Sequence, residues 1–213
     1  MSDNFYSNLS WLPNPPPDFR EILKTWPAEK HPAATLRFLA THALSIDQLS
    51  SLSRQIAKAI SAGADLGDFT RYKLGIVSNA TTDHIAPPLG ATGLRHGLLL
   101  EIVSAPYGQI MQAATGGLNE FSDESLDAVL CAIDARGFPA NPGLFSDDKS
   151  AAQAQDSIVY LQQLSEGLAS QSGAPCILQT LVPVPEAAFG SLDRRMAGTN
   201  RHFAAEFNQQ LMT

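Results

Sequence analysis

Apolar positions are spaced helically through the first third of the chain and then change to short continuous runs. Phe19, Ile22, Leu23 and Trp26 recur at i, i+3, i+4 and i+7, one face of a helix, with Asp18 placed to cap it and Pro27 to interrupt it. A second helix is expected over residues 32–43, with Leu36 and Leu39 inward. The third is better signalled. Ser45 with Gln48 three later reads as a capping box, Ile46, Leu49, Leu52, Ile56 and Ile60 mark one face, and Gly63 supplies the stop. Three short helices bury little alone, so residues 1–66 read as a helical N-terminal region that packs on the remainder of the chain. Ahead of them, Trp11-Leu12-Pro13-Asn14-Pro15-Pro16-Pro17 favours an extended surface segment, because proline fixes φ and donates no backbone hydrogen bond.

From about residue 72 the pattern becomes that of strands alternating with helices. Apolar runs at residues 73–77, 98–103, 128–133 and 176–181 are nearly continuous, which suits parallel strands covered on both faces. The stretches between them are long enough for crossover helices. The clearest covers residues 151–170, with Ile158, Leu161, Leu164 and Leu168 on one face and Gly173 beyond its end; a last helix is expected over 199–211, with Phe203, Phe207 and Leu211 inward. The expected fold class is α/β, a three-layer sandwich with a mainly parallel sheet over residues 67–213, preceded by the helical region.

Composition narrows the function classes. Apolar residues make up 44% of the 213 and charged residues 16%, which supports a packed core. The formal charge is −7 and no Lys/Arg run exceeds two, so the electrostatic footprint for nucleic acid or an anionic membrane is missing. No run approaches the ~18 apolar residues of a membrane span, and Met1-Ser2-Asp3-Asn4-Phe5 lacks the regions of a signal peptide. A cytoplasmic location is expected. Cys131 and Cys176 sit inside apolar runs without metal-ligand spacing, and they read as buried small hydrophobes.

The candidate chemistry lies at strand ends. In open parallel sheets, ligands bind beyond the carboxyl ends of the strands. The first strand exits into Ser78-Asn79-Ala80-Thr81-Thr82-Asp83-His84, a cluster of small polar side chains. Such a turn can bind an anion or hold a serine in an oxyanion-stabilising site. It can equally cap a helix that starts near Pro87-Pro88. Ser78 is the candidate nucleophile, and none of His84, His96 and His202 stands out as its base. His31 and His42 are expected on the surface of the helical region. The third strand exits into Asp134-Ala135-Arg136, which either faces the same crevice or forms a structural ion pair. Gly108, after the second strand, either lets a ligand approach the backbone closely or serves a plain turn. The candidate binding residues are Asn79, Thr81, Gly108, Asp134 and Arg136. Pro183-Val184-Pro185 and Gly190-Ser191-Leu192-Asp193 read as a surface loop over the same edge. GxGxxG, Walker A, HExxH, GxSxG and DxDxT are all absent.

Several motifs, in order, resemble the N-terminal region of FkbH-like proteins of the HAD superfamily, subfamily IIIC. They are Leu9-Ser10-Trp11-Leu12-Pro13 with Pro17-Asp18-Phe19, Leu36-Arg37-Phe38-Leu39-Ala40, Val77-Ser78-Asn79-Ala80-Thr81-Thr82, Leu94-Arg95-His96-Gly97-Leu98, Tyr107-Gly108-Gln109, Gln179-Thr180-Leu181-Val182-Pro183 and Asn208-Gln209-Gln210-Leu211. The resemblance implies a glyceryl unit passed from a phosphorylated three-carbon donor to an acyl-carrier protein, in polyketide or related biosynthesis. It places the catalytic aspartates, and the Mg2+ they need, in a HAD domain that would follow Thr213; no cofactor is expected in this chain. The region itself resembles an SGNH (GDSL-like) hydrolase sandwich, a flavodoxin-like arrangement, truncated before its last strand. Ser78 matches that family's nucleophile and Gly108 its oxyanion glycine. Val77 departs from the acidic residue expected before the serine, Asp134-Ala135-Arg136 stands where an asparagine should, and no Asp-x-x-His follows the fourth strand. The resemblance therefore implies a domain that recognises a small phosphorylated or acyl substrate or a carrier protein, with an esterase or acyltransferase using Ser78 as one alternative and a non-catalytic interaction module as another. Arg194-Arg195 and Arg201-His202 form the basic patch that could meet an acidic carrier protein.

Overall fold

The computed structural model describes residues 11–122, 125–138, 147–182 and 188–213. The α/β class expected from the sequence holds. Helices flank a four-stranded sheet in the order β2-β1-β3-β4, built from β1 (Thr70–Ser78), β2 (Leu98–Ser104), β3 (Ala128–Ala132) and β4 (Cys176–Leu178). The β1–β3 and β3–β4 ladders are parallel. The chain divides into two compact units, Met1–Lys73 with Thr82–Ile102 and Leu74–Thr81 with Val103–Thr213.

In the first unit, α1 (Phe19–Thr25), α2 (Pro32–Ala40) and α3 (Ile46–Ser61) follow the apolar spacing. Phe19, Leu23, Trp26, Leu36, Leu39, Leu52 and Ile56 meet in one core. The capping box forms as expected: Gln48 N–H donates to Ser45 Oγ at 3.2 Å and Ser45 N–H to Gln48 Oε1 at 2.8 Å. Gly63, at φ +88, ends α3, where Gly63 N–H and Ala64 N–H close back onto Ile60 and Ala59.

Four expectations for this unit are corrected. Asp18 makes no side-chain cap, because its backbone (φ −93, ψ 17) is not extended as a capping residue requires. α2 stops at Ala40, short of residue 43. Ala43 N–H is diverted to the Pro13 carbonyl (2.9 Å), while Thr41 Oγ1 and His42 Nδ1 both close on the Phe38 carbonyl at 2.7 Å. That same bond leaves His42 buried rather than at the surface. Ile46, the first residue of α3, is exposed; the helix meets the core from Leu49 onward. α4 (Ala86–Gly93) carries Pro87 and Pro88 in its first turn as expected.

The second unit packs α5 (Ile110–Ala114), α6 (Asn119–Ser122), α7 (Asp147–Ser172) and α8 (Asn200–Leu211) around the carboxyl half of β1 and the strands β3 and β4. Val77, Phe121, Val129, Ile133, Leu164, Leu168, Phe203 and Phe207 are buried in its core. Phe138, just after β3, packs tilted against Phe207 with ring centres 4.8 Å apart and meets Tyr160 of α7 edge-on at 6.2 Å.

β4 departs from the sequence reading in two ways. It ends at Leu178 because the Leu181 peptide leaves the ladder: Asn208 of α8 accepts from Leu181 N–H at 2.6 Å and donates to its carbonyl at 2.8 Å. As the edge strand it also leaves Ile177 and Leu178 exposed, and Cys176 only half-buried. Cys131 is fully buried, and burial pushes its thiol up to about 12. The loop residues Pro183-Val184-Pro185 lie outside the described residues. Gly190-Ser191-Leu192-Asp193 is a 3-10 turn (Gly190–Arg195), not an open loop; buried Asp193 accepts from Ala188 N–H at 3.0 Å and Phe189 N–H at 2.6 Å. No helix of the described residues is long and apolar enough to cross a membrane.

Candidate functional site

The sheet order puts β1 between β2 and β3. The chain therefore leaves β1 in one direction and returns on its other side, which makes the β1/β3 crevice a topological switch point. The parallel register pairs Val77 with Cys131 and Ser78 with Ala132, so both strands leave the sheet at the same level. The residues beyond those strand ends, Asn79 to Thr81 and Asp134 to Arg136, belong to the same compact unit.

The first two polar side chains of the turn, Ser78 and Asn79, have definite partners. Ser78 is buried. Its Oγ donates to the Ala132 carbonyl at 2.8 Å and accepts from Ala80 N–H at 3.1 Å. Both bonds are to backbone. Asn79 uses its whole amide on one residue: Nδ2 donates to Asp134 Oδ1 at 2.6 Å, and Oδ1 accepts from Asp134 N–H at 3.0 Å. Asp134 Oδ1 also accepts from Arg136 N–H at 2.9 Å, and its Oδ2 receives Arg136 Nε at 2.9 Å together with Nη2. The Arg136 bonds, with help from Asn79, hold the Asp134 carboxyl below the usual carboxylate range. Gly137 closes this cluster from behind. A Cβ there would lie 2.5 Å from Ile133 Cγ2 and 3.0 Å from Asn79 Cγ, so only glycine lets the amide sit against the turn.

None of these side chains caps α4. The residue at its cap position, Ile85, makes no side-chain cap, and the Thr82 carbonyl takes the Ile85 and Ala86 N–H groups. Of the two readings left open for the turn, capping is thus not what occupies Ser78 and Asn79.

Beside the cluster lies an open cleft of about 670 Å³ lined by Asn79, Ala80, Thr81, Tyr107, Gly108, Ile110, Met111, Arg136 and Tyr160. Of the candidate residues, Asn79, Thr81, Gly108 and Arg136 line it, Asp134 stands behind Arg136, and Ser78 is not on its wall. Gly108 has φ +75, and nothing lies within 4 Å of where a Cβ would be. The position needs glycine for its backbone and leaves open space on the cleft side. Sequence reasoning missed Tyr107, Met111 and Tyr160. The signal for Tyr107, which is 72% exposed, was an aromatic in a turn just after a strand; Tyr160 falls off the apolar stripe of α7 and gave none. His202, also weighed as a base, bonds the Arg194 carbonyl through Nδ1 at 3.2 Å. Among the described residues no three His, Cys, Asp or Glu side chains group as metal ligands.

No protein-family model and no curated protein matches the sequence. Among solved structures, the fold is similar to the crystal structure of the N-terminal part of protein BF1531 from Bacteroides fragilis, which contains a phosphatase domain and is complexed with Mg. The TM-score is 0.59 at 14% identity, over 79% of this chain and 42% of that one. This chain therefore spans less than half the length of that structure, and the likeness is one of fold.

Proposed function

We propose that this chain is a recognition domain of an FkbH-like protein, which holds a small acyl or phosphorylated group, free or presented by an acyl-carrier protein, in the cleft beside Asn79 and Arg136. The observation that carries this reading is the fate of Ser78. Its proton is given to the Ala132 carbonyl, its lone pair takes Ala80 N–H, and it stands off the cleft wall. A nucleophile needs a base within hydrogen-bond reach of its proton, and both Ser78 partners are backbone. The fold shared with the N-terminal part of a phosphatase-containing protein supports a domain that works beside a catalytic one. In this reading Mg2+ serves that catalytic domain, and no residue of this chain is given a role towards it.

A fluorophosphonate probe tests the reading. Intact protein should remain unlabelled at Ser78 by mass spectrometry and leave short acyl esters uncleaved. A stoichiometric adduct on Ser78 would replace recognition by an SGNH-type esterase or acyltransferase.

A further inference from the structure

The Arg136 guanidinium has three hydrogen-bonding edges, and the turn uses one. Nε and Nη2 converge on a single oxygen, Asp134 Oδ2, while the other carboxylate oxygen is taken by Asn79 Nδ2 and Arg136 N–H. The end-on edge, Nη1 with the second N–H of Nη2, makes no bond to a described residue, and the side chain is 81% exposed on the cleft wall. Such a fork matches the two oxygens of a carboxylate or phosphate. Asp134 and Asn79 fix its plane before any ligand arrives, which lowers the ordering cost of binding.

Charge and surroundings narrow the ligand. Arg136 contributes +1 and Asp134 −1, so the pair is neutral and presents the positive end of a dipole to the cleft. Among the described residues no other Asp, Glu, Lys or Arg lines it. A dianion would meet no net positive charge there and would incur a larger desolvation cost than a monoanion. Beside the polar Asn79 and Thr81, the wall carries the apolar and aromatic side chains of Ile110, Met111, Tyr107 and Tyr160.

We infer that this cleft binds a small organic monoanion, a carboxylate on a short, partly apolar body, gripped end-on by Arg136 with Asp134 as the residue that positions it. The inference rests on the proposed reading of the cleft as a recognition site and names the ligand class it takes.

The test is an NMR or calorimetric titration of the full chain at about pH 8 with butyrate, with propyl phosphate as its dianionic counterpart. Butyrate should saturate and bind more tightly than propyl phosphate. Arg136→Lys should weaken butyrate about tenfold, since a point charge cannot replace the fork. Asp134→Asn leaves the site with net +1 and should move the preference towards propyl phosphate, a change that mere loss of structure would not produce. Should Asp134→Asn fail to fold, Tyr107→Ala, at an exposed position, should weaken hexanoate more than acetate. The inference is overturned if propyl phosphate binds the native chain better than butyrate, if neither saturates, or if Arg136→Lys binds butyrate unchanged. An adduct on Ser78 would overturn the recognition role but leave this titration intact; absent binding with Ser78 unlabelled overturns this inference alone.

Discussion

Replacing Asn79 by alanine removes both bonds that tie its side chain to Asp134. One goes to an ionised carboxylate, a class worth about 1.5–3 kcal/mol, and the other is a neutral backbone bond worth about 0.5–1.5 kcal/mol. The Asp134 side chain is 42% exposed, so water reaches the freed oxygen and recovers part of the loss. The lower half of the sum applies, roughly 2 kcal/mol, and for a chain of this size that is a fall in Tm of about 4–8 °C. Urea unfolding followed by circular dichroism reads it as a lower midpoint at unchanged slope. Combining Asn79→Ala with Asp134→Ala in a double-mutant cycle should give a coupling of about 0.5–3 kcal/mol, because the two share their bonds. A midpoint that moves by less than about 0.5 kcal/mol, or strictly additive variants, would refute the view that Asn79 holds Asp134 in place.

Two further outcomes concern the same unit. At Gly167 of α7 a Cβ would stand 2.7 Å from the Ala114 carbonyl oxygen, a backbone atom that cannot step aside; Gly167→Ala should destabilise by about 1 kcal/mol, overpacking of about 1–3 kcal/mol outweighing the ~1 kcal/mol that alanine gains in a helix, and an unchanged or raised urea midpoint would contradict the close approach. Asp134 titrates below its ordinary range when folded, chiefly through Arg136, so its stabilisation is fully present above the unfolded value of about 3.9 and is lost as pH falls through the lower folded value; on acidification below about pH 4 the native midpoint should fall more steeply than that of Asp134→Asn, and parallel curves would count against the bond.

The fold was legible where one periodicity prevails over a whole element. Leu52 and Ile56, or Leu161, Leu164 and Leu168, are inward because a helix repeats every 3.6 residues and a core lies on one side. The errors fall at ends, where a single competing bond decides. α2 loses three residues to the Pro13 carbonyl, and β4 loses three to the Asn208 amide. Both partners come from outside the element concerned: Pro13 from the Pro-rich entry, and Asn208 twenty-seven residues after Leu181. An apolar run such as residues 176–181 looks the same whether a strand is central or at the edge, so the exposure of Ile177 and Leu178 follows only from strand order.

The strand ends that meet at the candidate site could be read from the sequence, but the bonding of the side chains there could not. Small polar residues after β1 and a charged pair after β3 are strand-end features that any switch-point argument finds. Which of them faces a ligand depends on register. With Ser78 level with Ala132, the serine hydroxyl falls within reach of the neighbouring carbonyl and is committed to it. One residue later the chain has left the ladder, and the side chain of Asn79 spans to Asp134, two residues past Ala132. A slip of one position would exchange these roles and leave the serine free. The sequence contains both outcomes, because serine and asparagine are equally good turn residues. The parallel β1–β3 register selects the one in which the hydroxyl bonds backbone, the amide braces Asp134, and the Arg136 guanidinium on the cleft wall is left with an open edge.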